Sequence, residues 1–320
     1  MILSPEVLTL YILNALLALF ATIAFYLSAK IAIFYNKEST TPLQYTLEKS
    51  SYLSATIIQY MLMLKIALFL FFIFTLDKLS NVIQGAMCAA GIVDATEYGS
   101  YLLLLKLLNL YLFGYWIVLH KEDVKYEQQP YVRLKFTLFT LFYFLLISEI
   151  VLEVFMFSSM DSSTLVDCCG AIYSNSSGTY IAWLVNREPT VLLSFFYGLF
   201  FVMLVAYKAR QEVLFSLVNL FFAIISIITL ISFFGTYIYE LPTHKCPFCF
   251  LQQDYNYVGY LLYSLLFIGT FYGVVLSLIK FFKDVRESYF RISMAFNSMY
   301  TLIVSYYPVA YFVKNGVWLS

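Results

Sequence analysis

Charge is scarce in this chain of 320 residues: Asp, Glu, Lys and Arg make up 12% of it, against 62% hydrophobic residues and a mean hydropathy of +0.82. Ordinary water-soluble domains carry about 25% charged residues, so that class is excluded at the outset. The 19 basic and 19 acidic side chains cancel, which leaves no cationic surface for nucleic acid. Histidine is reduced to His120 and His244, too few and too far apart for a zinc centre built on paired histidines. Phosphate loops, nucleotide fingerprints, nucleophile elbows and the Cys-x-x-Cys-His haem signature are all missing. Glycine (12) and proline (7) are sparse, and no Gly/Ser linker or low-complexity tract divides the chain.

What remains is a series of apolar stretches near residues 8–29, 52–76, 100–119, 137–158, 190–207, 213–236, 257–281 and 293–312. Each has the roughly 20-residue length of a bilayer crossing. Backbone groups in lipid must bond internally, so the segments are expected to be helices. Six prolines fall between or at the ends of these stretches, and Pro308 alone lies inside one, where a kink is expected. The run Leu8–Ser28 exceeds the core of a cleavable signal and is read as a retained first helix. The expected fold is all-α: a polytopic bundle of about eight transmembrane helices, forming a single integral membrane domain over residues 1–320.

Basic residues set the orientation, because they are retained on the cytoplasmic side. Lys30, Lys37, Lys49, Lys121, Lys125, Arg133, Lys135, Lys208, Arg210, Lys280, Lys283, Arg286 and Arg291 fall on one side; Lys78, Arg187, Lys245 and Lys314 fall on the other. Both termini are therefore expected outside, with longer outer connections near 77–99, 159–189 and 237–256. A bacterial inner membrane, with these loops facing the periplasm, is the expected location. Tyr237, Tyr239, Tyr255, Tyr257, Tyr260 and Tyr263 bracket the third outer loop and read as an interfacial belt against lipid.

All five cysteines lie in those outer loops: Cys88, the adjacent Cys168 and Cys169, and Cys246 with Cys249 in His244-Lys-Cys-Pro-Phe-Cys. Cysteine is ordinarily a small buried hydrophobe, so confinement to loops points to thiol chemistry. A Cys-x-x-Cys pair closes too small a loop to stabilise much chain, and suits redox exchange or metal chelation better. Cys246 and Cys249 precede the seventh helix, whose N-terminal dipole, with Lys245, is expected to favour thiolate. The vicinal thiols suit a soft ion such as Cu(I), with Cys88 as a further ligand.

The segment Cys246-Pro-Phe-Cys249-Phe-Leu-Gln252-Gln253 resembles the Cys-x-x-Cys-x-x-Gln-Arg segment of the disulfide bond formation protein B family, with Gln253 at the arginine position. The resemblance covers these eight residues. It implies a membrane enzyme passing electrons from periplasmic dithiols to quinone through Cys246 and Cys249. Gln252 and His244 become the candidates for contacting that cofactor, and an extracytoplasmic thiol protein the implied partner beside the lipid bilayer.

Lys65, Lys106, Glu149 and Glu153 lie inside expected spans, where an isolated charge costs roughly 2.5–3.5 kcal/mol. At about 1.5 Å per residue, Lys65 reaches the depth of Glu149 and Lys106 that of Glu153. The four are expected to meet in the outer half of the bundle, as a structural ion cluster or a proton relay, with Asn109 nearby. Three readings follow. One is a thiol–disulfide oxidoreductase with Cys246, Cys249, Cys168 and Cys169 exchanging electrons. Another is a soft-metal carrier, copper above all, with Cys88, Cys168 and Cys169 as ligands. The last is a structural subunit of a membrane complex.

Overall fold

The computed structural model describes residues 4–36, 39–83, 85–86, 88–127, 129–160, 187–278 and 286–319. It is 84% helical, with no strand among the described residues, as the all-α reading requires. Seven helices are long and apolar enough to cross a membrane: Pro5–Phe34, Pro42–Ser80, Gly99–Asp123, Val132–Ser159, Pro189–Lys208, Glu212–Tyr239 and Val258–Leu278. The eighth expected crossing lies within a helix from Arg286 to Asn315 that is more polar and runs through Pro308. The chain is an integral membrane protein. It forms two compact units, residues 1–84 with 92–166 and residues 85–91 with 167–320.

The first unit holds α1 (Pro5–Phe34), α2 (Pro42–Ser80), α4 (Gly99–Asp123) and α5 (Val132–Ser159). α1 packs on α2, α2 on α4, α4 on α5, and α5 closes the ring on α1. The short connections after α1 and after α4 make the helices they join antiparallel neighbours. α2 starts ten residues ahead of the expected apolar stretch, because Thr41 accepts the Gln44 amide at the N-terminus and Pro42 fits the first turn. Aromatic contacts such as Phe25 with Tyr143 and Phe72 with Phe157 fill the ring. Ile12, Leu16 and Leu19 of α1 stay about half exposed, the pattern of a helix whose outer face meets lipid.

The second unit repeats the plan with α6 (Pro189–Lys208), α7 (Glu212–Thr229) continued by a π-helical stretch (Leu230–Phe234) and α8 (Gly235–Tyr239), then α9 (Val258–Leu278) and α10 (Arg286–Asn315). Here α6 packs on α7, α7 on α9, α9 on α10, and α10 returns to α6. Gly269 and Gly273, one turn apart on α9, let two asparagines lie against its backbone: a Cβ at either would overlap Asn297 or Asn219. Asn219 Oδ1 accepts from Asn297 Nδ2 (2.7 Å) and Ser293 Oγ (3.2 Å), while Ser293 Oγ also bonds the Gly269 carbonyl. Small residues that allow close approach and side-chain amides that bond across helices are how membrane helices associate without a hydrophobic driving force.

A short helix, α3 (Ala89–Asp94), occupies what the sequence reads as loop. Its first residues and Cys88 belong to the second unit.

Candidate functional site

The loop after α8 and the residues before α3 bring three cysteines together. The Sγ atoms of Cys88, Cys246 and Cys249 all lie within 4.8 Å of one another. Cys88 and Cys246, 158 residues apart in the chain, approach to 3.3 Å, well beyond a disulfide bond length of about 2.04 Å. All three are buried, with exposures of 0%, 0% and 7%.

Two tyrosines hold the loop in this shape. The Tyr239 hydroxyl donates to the Cys246 carbonyl (2.5 Å) and accepts from the Phe250 amide (3.2 Å). Tyr263 donates to the Pro247 carbonyl at 2.6 Å. Neither role was visible in the sequence, which assigns both residues to a lipid-facing belt. Tyr239 is instead buried at 6% exposure, as is Tyr237 at 5%. Both lie in α8, directly after the π-helical stretch, a winding that residue patterns do not announce. A further constraint is Gly259, where a Cβ would come within 2.7 Å of the Phe250 ring and 2.9 Å of its carbonyl. Only glycine lets the Cys249–Leu251 turn seat on the start of α9.

The electrostatics differ from the sequence expectation. α9 begins at Val258, after two short 3-10 turns over Cys249–Leu251 and Gln253–Tyr255, and a helix dipole fades within about one turn. It therefore does not act on Cys246. The Phe248 amide does, donating to Cys246 Sγ at 3.4 Å. An N–H aimed at sulfur favours thiolate over thiol. Lys245, the other expected source of positive charge, is itself held below the usual ammonium range by burial.

His244 packs edge-to-face on Tyr239, with ring centroids 4.4 Å apart and planes at 84°. Burial holds its imidazole below the ordinary histidine value, opposed by the neighbouring Cys88. Gln252 links the two 3-10 turns, and its carbonyl accepts the amides of Tyr255 and Tyr257. Cys168 and Cys169 lie outside the described residues.

In the first unit, Lys65, Lys106, Glu149 and Glu153 form one buried network. Lys106 Nζ reaches Glu149 Oε1 (2.8 Å) and Glu153 Oε2 (2.6 Å), and Lys65 Nζ lies 3.1 Å from Glu149 Oε1. Two asparagines complete it. Asn109 donates to Glu149 Oε2 (2.6 Å), and Asn14 bridges by donating to Glu153 Oε1 and accepting from Lys65, both at 2.8 Å. Asn14 gives no signal in the sequence, because one amide in an apolar helix carries no pattern. Every carboxylate oxygen is engaged and the formal charges cancel, which is what a low-dielectric interior demands of buried ions. A second buried pair, Asp123 with Lys135 at 2.8 Å, joins α4 to α5 near their connection.

The arrangement can therefore do two things chemically: present converging sulfur donors in a dry setting, and hold charged helices together. No protein-family model matches the chain, and neither a curated protein nor a solved structure matches it.

Proposed function

We propose that this is a metal-binding membrane protein that takes a thiophilic ion, of the class of monovalent copper or divalent zinc, on Cys88, Cys246 and Cys249. The observation that carries this reading is the convergence of three sulfurs within 4.8 Å. A metal–sulfur bond of about 2.3 Å in tetrahedral geometry sets sulfurs about 3.8 Å apart, inside the range bounded by that limit and the 3.3 Å contact. The N–H bond to Cys246 Sγ and the two tyrosine hydroxyls hold the ligands before any ion arrives, which lowers the ordering cost of binding. The positive-inside count supports a site on the extracytoplasmic face, and we place the protein in a bacterial inner membrane.

A thiol–disulfide oxidoreductase is the second reading, favoured by the 3.3 Å contact between Cys88 and Cys246 with Cys249 in exchange range. In that chemistry two thiols lose two electrons and two protons to form one disulfide, a quinone in the bilayer taking both. It ranks second because exchange with an external dithiol requires attack on an accessible sulfur, and these are buried.

The test is elemental analysis of protein purified anaerobically in detergent with reductant, alongside Cys88→Ser, Cys246→Ser and Cys249→Ser. About one thiophilic ion per chain, lost in each variant, is the expected result. Metal-free protein whose cysteines shuttle between thiol and disulfide as quinone is added would replace this reading with the second.

A further inference from the structure

Three sulfurs leave one corner of a tetrahedron open, and His244 on the same loop stands close enough to Cys88 for the two to interact electrostatically. This inference rests on the metal-binding reading. The histidine stands two residues ahead of Cys246, and its own amide donates to the Leu241 carbonyl at 3.3 Å, closing a turn. Its ring rests on Tyr239, the residue whose hydroxyl holds the Cys246 carbonyl. Nε2 is sealed from solvent and has no hydrogen-bond partner. A buried polar atom left so costs about 1–3 kcal/mol, and such atoms commonly mark the place of an ion or water.

We propose that His244 is the fourth donor, making a three-thiolate, one-imidazole site that prefers a divalent ion of the zinc type over monovalent copper. His244 is not among the donors that lie within 4.8 Å of one another, so coordination draws the ring inward. The stretch from Leu241 to Phe248 has no regular structure to resist that movement. Charge points the same way. Binding of a divalent ion by three thiols releases three protons to solvent and leaves one net negative charge, while a monovalent ion with three thiolates leaves two, and burying the larger charge costs more. Neutral imidazole donates its lone pair without releasing a proton, and no electron changes hands.

The test uses the full-length protein in detergent, stripped with chelator under reducing conditions and titrated with Co(II) as a spectroscopic stand-in for zinc. The wild type is expected to give thiolate-to-cobalt charge-transfer absorption with the intense visible bands of tetrahedral coordination. His244→Ala is expected to keep the charge-transfer absorption, lose the tetrahedral bands, and bind zinc at least about 10-fold more weakly, with Cu(I) affinity unchanged. His244→Cys should restore the tetrahedral bands. Bands unchanged in His244→Ala, or lost instead in Cys168→Ser with Cys169→Ser, would overturn the assignment while leaving a metal site standing. Absence of cobalt and zinc binding with Cu(I) still bound would likewise overturn it, and absence of cobalt, zinc and Cu(I) binding by the wild type would overturn the metal-binding reading itself.

Discussion

Replacing Lys106 by methionine tests whether the ion network of the first unit acts as one object. Lys106 is 5% exposed and, among the described residues, its ammonium is the only cation in a salt bridge with Glu153. In Lys106→Met, Glu153 keeps the Asn14 amide, and the network carries one uncompensated negative charge. Removing one partner of a buried pair costs about 3–5 kcal/mol, and insertion scales put a charge at such depth at roughly 2.5–3.5 kcal/mol; about 3 kcal/mol is therefore expected. Glu153→Leu leaves the opposite imbalance and should cost a similar amount. The double variant Lys106→Met with Glu153→Leu is neutral again, with Lys65 and Glu149 still paired and braced by Asn14 and Asn109. It should be more stable than either single variant. The assay is reversible unfolding in mixed micelles of rising sodium dodecyl sulfate content. A double variant equal to the sum of the singles within about 0.5 kcal/mol, the additivity of independent sites, would refute the idea of a charge-balanced unit.

Further outcomes follow from other contacts. Gly273→Ala should destabilise the second unit by about 1–3 kcal/mol, because the new methyl group meets an Asn219 already bonded to Asn297, Ser293 and the Phe215 carbonyl; adding Asn219→Ala should recover part of the loss in the same unfolding assay. Tyr239→Phe removes the hydroxyl shared by Cys246 and Phe250, so zinc affinity, read by competition with a chromogenic chelator, should fall several-fold while helix content by circular dichroism stays constant. Lys135→Met should cost about 3–5 kcal/mol by stranding the buried Asp123. Lys314→Ala, which breaks only an exposed pair with Glu240, should cost less than about 1 kcal/mol; equal losses in these two variants would contradict the burial logic.

The helices were legible because lipid forces a one-dimensional signal onto the sequence: about 20 apolar residues, with prolines outside. Their ends were less so. α2 gains its first turns from Thr41 and Pro42, a capping effect that hydropathy does not register. The meeting of Lys65, Lys106, Glu149 and Glu153 could be argued from depth alone, since charges in lipid must find each other. Asn14, Asn219 and Asn297 could not, because an uncharged amide is tolerated in many settings and its partner is decided only by packing. The convergence of Cys88 with Cys246 and Cys249 followed no spacing rule, 158 residues of chain separating the first two. Tyr239 and Tyr263 were hidden by composition: among 29 tyrosines, two that hold a loop look like any other two.

The π-helical winding over Leu230–Phe234 has a consequence for the distant loop. Such a stretch accommodates one residue more than an α-helix would, and each residue advances the helix by about 100°. Rewinding the same five residues as α-helix would rotate everything beyond by about a quarter turn, and the Tyr239 phenol would then aim away from the cysteines. The tyrosine latch is thus timed, like a cam on a shaft, by an irregularity two turns down a greasy helix that supplies no ligand itself.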